Sequence, residues 1–116
     1  MALVLCTGSD ESLMQTRKLI LENEGHQVVL AKSLVAVENA CAENDFHVVV
    51  LGQALVAPEK RRIVDVVKRA CRSVKILELH GPGKESKVIA DADDWLEVPA
   101  QVPQELATRV TALATK

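Results

Sequence analysis

Five short, almost uninterrupted apolar runs divide this sequence, and the segments between them carry apolar residues at helical spacing. The runs are ALVLCT, HQVVLA, FHVVVLG, VKILELHG and DWLEVP. A strand with one wet face alternates polar and apolar residues, whereas a continuous run suits a strand covered on both faces. Such strands need a helical layer above and below them. DESLMQTRKLILENEG places Leu13, Thr16 and Ile20, and also Met14 and Leu21, at helical spacing, with Asp10 able to cap its start and Gly25 at its end. SLVAVENACAEN opens at Ser33 and closes near Asn44. APEKRRIVDVVKRACRS has Pro58 in its first turn and Ile63, Val67, Ala70 and Cys71 on one face. PQELATRVTALAT starts at Pro103. Right-handed crossovers turn this alternation into a doubly wound α/β sheet with helices on both faces.

Open parallel sheets bind ligands at the carboxyl ends of their strands. The residues to inspect are therefore Cys6 to Asp10, Gly52 and Gln53, His80 to Gly83, and Glu97 to Pro99. A length of 116 residues fits one domain over residues 1–116, with a core that needs no disulfide or structural metal. A net charge of -2 gives no global pull toward nucleic acid or membrane. No apolar segment approaches membrane-spanning length, and Met1-Ala2-Leu3 runs straight into a strand-like segment, so the expected location is the cytoplasm. Cys6, Cys41 and Cys71 lie far apart, with no zinc spacing and an odd count. No cofactor or metal is implied.

Three segments resemble one family. LILENEGHQVVLAKS is similar to the first-helix exit and second strand of response-regulator receiver domains, the CheY-like superfamily. DFHVVVLG resembles the receiver strand that ends in the phosphoacceptor aspartate. ADADDWLEVPAQVPQELATRVTAL resembles the receiver ending, a fifth strand with its proline followed by a final helix. The resemblance implies a flavodoxin-like fold with five parallel strands in the order 2-1-3-4-5.

The family's chemistry does not carry over. Receivers hold a divalent metal with acidic residues after the first strand. They also use an aspartate ending the third strand, a Thr or Ser ending the fourth, and a lysine before a proline on the fifth. The matching positions here are Gly52, His80 and Val98, with Pro99 kept; only Asp10, or Glu11 just beyond, offers a carboxylate. Glycine has no nucleophile, a nearly empty nest cannot hold a hard cation, and valine brings no positive charge to a phosphoryl group. The resemblance is thus to a degenerate pseudo-receiver, a phosphorylation-independent interaction module without catalysis in two-component-type signalling.

Other readings compete. Cys6 ends a parallel strand before a helix, where phosphocarriers and low-molecular-weight phosphatases place a nucleophile. The arginine expected six residues on is Ser12, and the simpler reading is a packed residue beside a cap at Ser9 or Asp10. A ligand-binding module could instead use a crevice over Gly52, lined by His80 and Val98. HGPG reads most simply as a turn, with His80 a partly exposed substitute for the receiver hydroxyl. Trp95 occupies the receiver's switch-aromatic position. It either fills a gap beside the fifth strand with its ring N–H at the surface, or anchors an interface. The third helix carries Lys60, Arg61, Arg62, Lys68, Arg69 and Arg72, a basic face for an acidic protein partner; nucleic acid is disfavoured because no binding motif accompanies it. The connector from His80 to Ala92 is about one helical turn short of the family's, so a stunted fourth helix is expected over roughly Lys84 to Ala90. That shortening should expose apolar area and make the fourth-helix, fifth-strand and last-helix face, with Trp95 and Val88, the main interface for a protein partner or a homodimer. Arg61 and Arg62 would then only steer.

Overall fold

The computed structural model describes residues 2–83, 87–100 and 102–116. Its strands are β1 (Leu3–Thr7), β2 (Gln27–Ala31), β3 (Val48–Leu51), β4 (Lys75–His80) and β5 (Asp94–Glu97). All neighbouring pairs run parallel, in the order β2-β1-β3-β4-β5. Both the doubly wound class and the strand order match the sequence expectation. Four helices, α1 (Glu11–Asn23), α2 (Leu34–Glu43), α3 (Ala57–Ala70) and α4 (Gln104–Ala114), complete the described architecture.

Strand side chains alternate between two separate cores. Leu5, Val49, Leu51 and Ile76 point to the α2/α3 side and meet Val37, Phe46, Ile63 and Val67. Val4, Cys6, Val50, Leu77 and Leu79 point to the α1/α4 side and meet Leu21, Leu106, Val110 and Leu113. Each fully buried aliphatic side chain contributes about 1.5–3 kcal/mol from removal of apolar area from water. Local signals set the helix ends as the sequence suggests. Asp10 accepts from the Leu13 N–H at 3.1 Å, and Ser33 accepts from the Ala36 N–H at 3.1 Å. Gly25, at φ 90°, stops α1 in the left-handed conformation that favours glycine.

The expected fourth helix is corrected. Lys84 to Ser86 lie outside the described residues, and Lys87 to Ala90 contain no helix. A carboxylate inside the α2/α3 core binds this segment instead. Glu78, fully buried on β4, accepts the Val88 N–H at 2.9 Å and the Ile89 N–H at 2.9 Å. These donors tie Val88 and Ile89 to β4, and the Ala92 N–H to Ile89 carbonyl bond at 3.2 Å turns the chain just beyond. Ile89 and Ala92 are buried there in place of a helical face.

A second correction concerns the basic face of α3. Lys60 is 2% exposed, not solvated. Its ammonium donates to Glu78 at 2.8 Å and to the Leu79 carbonyl at 2.9 Å. Burial alone would raise the Glu78 carboxyl; the Lys60 ammonium and the Ile89 and Val88 N–H groups outweigh it and hold it below its ordinary value. Removing one partner strands a charge in the core. Lys60→Met is therefore expected to cost about 3–5 kcal/mol in denaturant unfolding, whereas Arg69→Met, on the exposed face, should change stability by less than about 0.5 kcal/mol.

Candidate functional site

The carboxyl ends of β1, β3 and β4 meet at one edge. Thr7 donates its hydroxyl to the Val50 carbonyl at 2.8 Å, and the Gly52 N–H continues the parallel ladder to the Thr7 carbonyl at 3.0 Å. This draws the β3 exit tightly against β1. A Cβ at Gly52 would lie 2.8 Å from the Thr7 carbonyl oxygen and 3.1 Å from the Gly8 Cα, both backbone atoms. The glycine is required by this close approach, since its φ is ordinary; among the described residues only Gly25 and Gly83 have positive φ. Position 52, expected to match the acceptor aspartate, thus lacks a carboxylate and also lacks space for one.

Arg17 fills the region on the α1 side of Gly52. Its guanidinium stands 3.6 Å from the Cβ position of Gly52 and donates to the Gln53 side-chain oxygen at 2.5 Å. Burial lowers the Arg17 pKa, opposed in part by Cys6 and Asp10. A cation thus stands beside the β3 exit. The sequence reading passed over Arg17, because one arginine on an amphipathic helix looks like a surface residue.

The remaining positions do not assemble into a phosphoryl-transfer site. Asp10 is the cap of α1, and Glu11 pairs with Lys32 at the surface. Among the described residues no cluster of three or more His, Cys, Asp or Glu could hold a metal ion. His80, expected to be partly exposed, is 5% exposed, and its Nδ1 is 2.7 Å from the Gly81 carbonyl, a contact within the turn. Val98 lines a groove with Arg17 and Gln53, and precedes Pro99 through a cis peptide bond. His80 instead lines a separate depression with Gly83, Lys87 and Glu97, so the expected crevice pairing it with Val98 over a vacant Gly52 is corrected. Cys6 is buried beneath this edge, and burial pushes its thiol up to about 12, with the Arg17 charge opposing. A thiol so placed is not a neutral-pH nucleophile.

Trp95 is half-buried, and its ring N–H is not at the surface, where the gap-filling one of its two readings had it: it donates to the Ile89 carbonyl at 3.1 Å. The Lys87 ammonium lies 5.4 Å from the ring centroid, a cation–π contact. Trp95 therefore joins β5 to the connector that Glu78 holds from the other side. Arg61 and Val88, expected on different surfaces, line one depression between α3 and the connector, together with Val64, Lys68 and Asp91. Arg62 faces away, toward Gly8, Lys32 and Glu59.

No family model matches the chain, and no curated protein matches it. Solved structures do. The Francisella response regulator 1452 receiver domain superposes with a TM-score of 0.82 at 19% identity, covering 99% of this chain and 98% of its own. A CheY-like response regulator receiver domain protein from Methanospirillum hungatei gives 0.83 at 19% identity, covering 99% and 94%. The BeF3-activated DrrB receiver domain gives 0.81 at 22% identity, covering 100% and 99%. The chain has the receiver-domain fold. At these identities the likeness speaks for the fold and not for the receiver's chemistry, which rests on the residues above.

The two glycines at this edge make a matched test of the steric reading. Gly52→Ala should destabilise the protein by about 1–3 kcal/mol, the usual cost of forcing an atom into a packed site. Gly8→Ala should be milder, because its Cβ would meet only the flexible Met14 side chain at 3.4 Å. Denaturant midpoints for the two variants check this; equal midpoints would contradict it.

Proposed function

We propose that the protein is a pseudo-receiver: a non-enzymatic, phosphorylation-independent interaction module that binds a protein partner in cytoplasmic two-component-type signalling. The observation that carries this reading is Gly52, where a Cβ would sit 2.8 Å from the Thr7 carbonyl. Phosphoryl transfer to a receiver needs a carboxylate there, oxygen ligands for a cation, and a positive group on β5. Gly52, the capping role of Asp10 and the apolar Val98 supply none of these. Arg17 lies on the α1 side of the same edge, where it would repel a metal ion. Acetyl phosphate or beryllium fluoride with magnesium is accordingly expected to leave intact mass and Trp95 fluorescence unchanged. A single added phosphoryl group on a carboxylate would overturn the reading. Gly52→Asp is not expected to gain phosphorylation, since it adds strain without adding the lysine or the metal ligands.

The partner surface in this reading is the face of the connector, β5 and α4. Val88 and Trp95 remain partly exposed, and Val88 lines the depression that Arg61 borders. Val102, before α4, adds an exposed apolar side chain. Apolar area removed from water contributes about 25 cal/mol per Å², while exposed charges are screened by salt. Trp95 and Val88 thus anchor a partner or a second copy, and Arg61, beside the depression, steers it with a longer-range contribution from Arg62, which faces the other way. Replacing Trp95 with alanine should weaken association about tenfold or more, a common loss for a buried aromatic anchor. The Arg61→Ala/Arg62→Ala pair should instead change mainly the salt dependence of association. Sedimentation at two ionic strengths, with circular dichroism to verify folding, separates the two. An arginine effect exceeding that of Trp95 at physiological salt would reverse the ordering.

A further inference from the structure

The groove beside Arg17 has a composition that the pseudo-receiver reading does not use. It lies between α1, the β5 exit and the start of α4, with a volume of about 200 Å³. Leu13, Ile20, Leu96, Val98, Pro103 and Leu106 form its apolar walls. Arg17 and Gln53 form its polar end. Arg17 is 9% exposed. Its guanidinium has five N–H donors, yet among the described residues its hydrogen bond is the one to Gln53. No carboxylate of the described residues pairs with it within 4.0 Å, whereas Arg109 and Lys60 both have such partners. A buried cation without an anion is costly to maintain, and a planar guanidinium is matched by a carboxylate.

We infer that this groove is a binding site for a small monocarboxylic acid, its carboxylate on the Arg17 guanidinium and its apolar body between Leu13, Val98 and Leu106. Size, charge and shape each limit the ligand. An apolar cavity of about 150 Å³ accepts benzene, so about 200 Å³ suits one ring or a chain of roughly six carbons. One cation calls for one negative charge, and Asp10, whose field already offsets part of the Arg17 charge without touching it, repels a dianion such as phosphate more than a monoanion. The Gln53 amide, held by its oxygen on Arg17, keeps its N–H donors available for a polar group of the ligand. The lowered Arg17 pKa agrees with a guanidinium short of solvation. The groove opens on the α1/α4 side of the sheet, whereas Trp95 and Val88 pack against the α2/α3 core, so either assignment can fail without the other.

Amide NMR titration of the whole chain with hexanoate and benzoate tests it, with hexanol and hexylammonium as controls. Hexanoate should give saturable shifts at Leu13, Gln53 and Val98, and should bind about tenfold or more tightly than hexanol, the effect of a charge-assisted hydrogen bond. Arg17→Gln should remove that advantage. Gln53→Glu is the second variant, because it supplies Arg17 with an internal carboxylate and so guards against misfolding as the explanation. It should raise the melting temperature while abolishing hexanoate binding. Equal binding of acid and alcohol would overturn the inference, as would shifts centred on α3, or wild-type hexanoate affinity in folded Gln53→Glu.

Discussion

The fully buried carboxylate of Glu78 organises more of this molecule than any other group. A charge in the core must be matched by donors close at hand, and the chain has arranged three. Lys60 reaches it from α3, and the Val88 and Ile89 amides reach it from the connector. Two of those donors are backbone groups, so the carboxylate fixes the backbone of Val88 and Ile89 against β4. The chain turns just beyond, where the Ala92 N–H donates to the Ile89 carbonyl at 3.2 Å. The Ile89 carbonyl, on the other side of the same peptide segment, accepts the Trp95 ring N–H. One buried charge thereby sets the path of the connector, the pose of Trp95 and the shape of the depression that Arg61 and Val88 line.

The opposite end of the architecture depends on closeness rather than charge. β1 and β3 approach so tightly at their exits that only glycine fits at position 52. A side chain there would have to push the Thr7 carbonyl away, and with it the ladder bond that the Gly52 N–H makes. The edge where a parallel sheet ordinarily presents its chemistry is sealed by backbone. What chemistry remains has moved sideways, toward α1, where Arg17 and Gln53 border an apolar groove.

The layered sheet was legible in the sequence because its signals are redundant. Val48 to Leu51 cannot be a half-wet strand, Asp10 and Ser33 cap their helices through their own side chains, and Gly25 stops α1 at a positive φ. Each local choice agrees with the global one, which is what makes an alternating chain readable. That β3 ends at a glycine was legible for the same reason: strand ends are marked. The reason that position tolerates only glycine was not legible, since a 2.8 Å approach belongs to two strands at once.

The misread residues share a physical cause. Lys60 looked like one of six cations on a solvated helix, but whether a lysine is exposed depends on what stands opposite it, and Glu78 lies 18 positions away in the chain. Neither residue announces the pair, because Glu78 sits in a run otherwise fit for a buried strand and Lys60 in a run otherwise fit for a surface. Read together, however, VKILELHG held a clue. A lone acid in the middle of a continuous apolar strand has nowhere to go but the core, so it demands a cation from a neighbouring helix, and α3, packed over the strand's own face, is where to look for it. The same reasoning applies to Arg17, which sits on the buried side of α1 with no acid of the described residues against it. An apolar environment that already meets one demand for charge at Glu78 leaves a second unmet at Arg17, and the groove beside it is open to what would meet it.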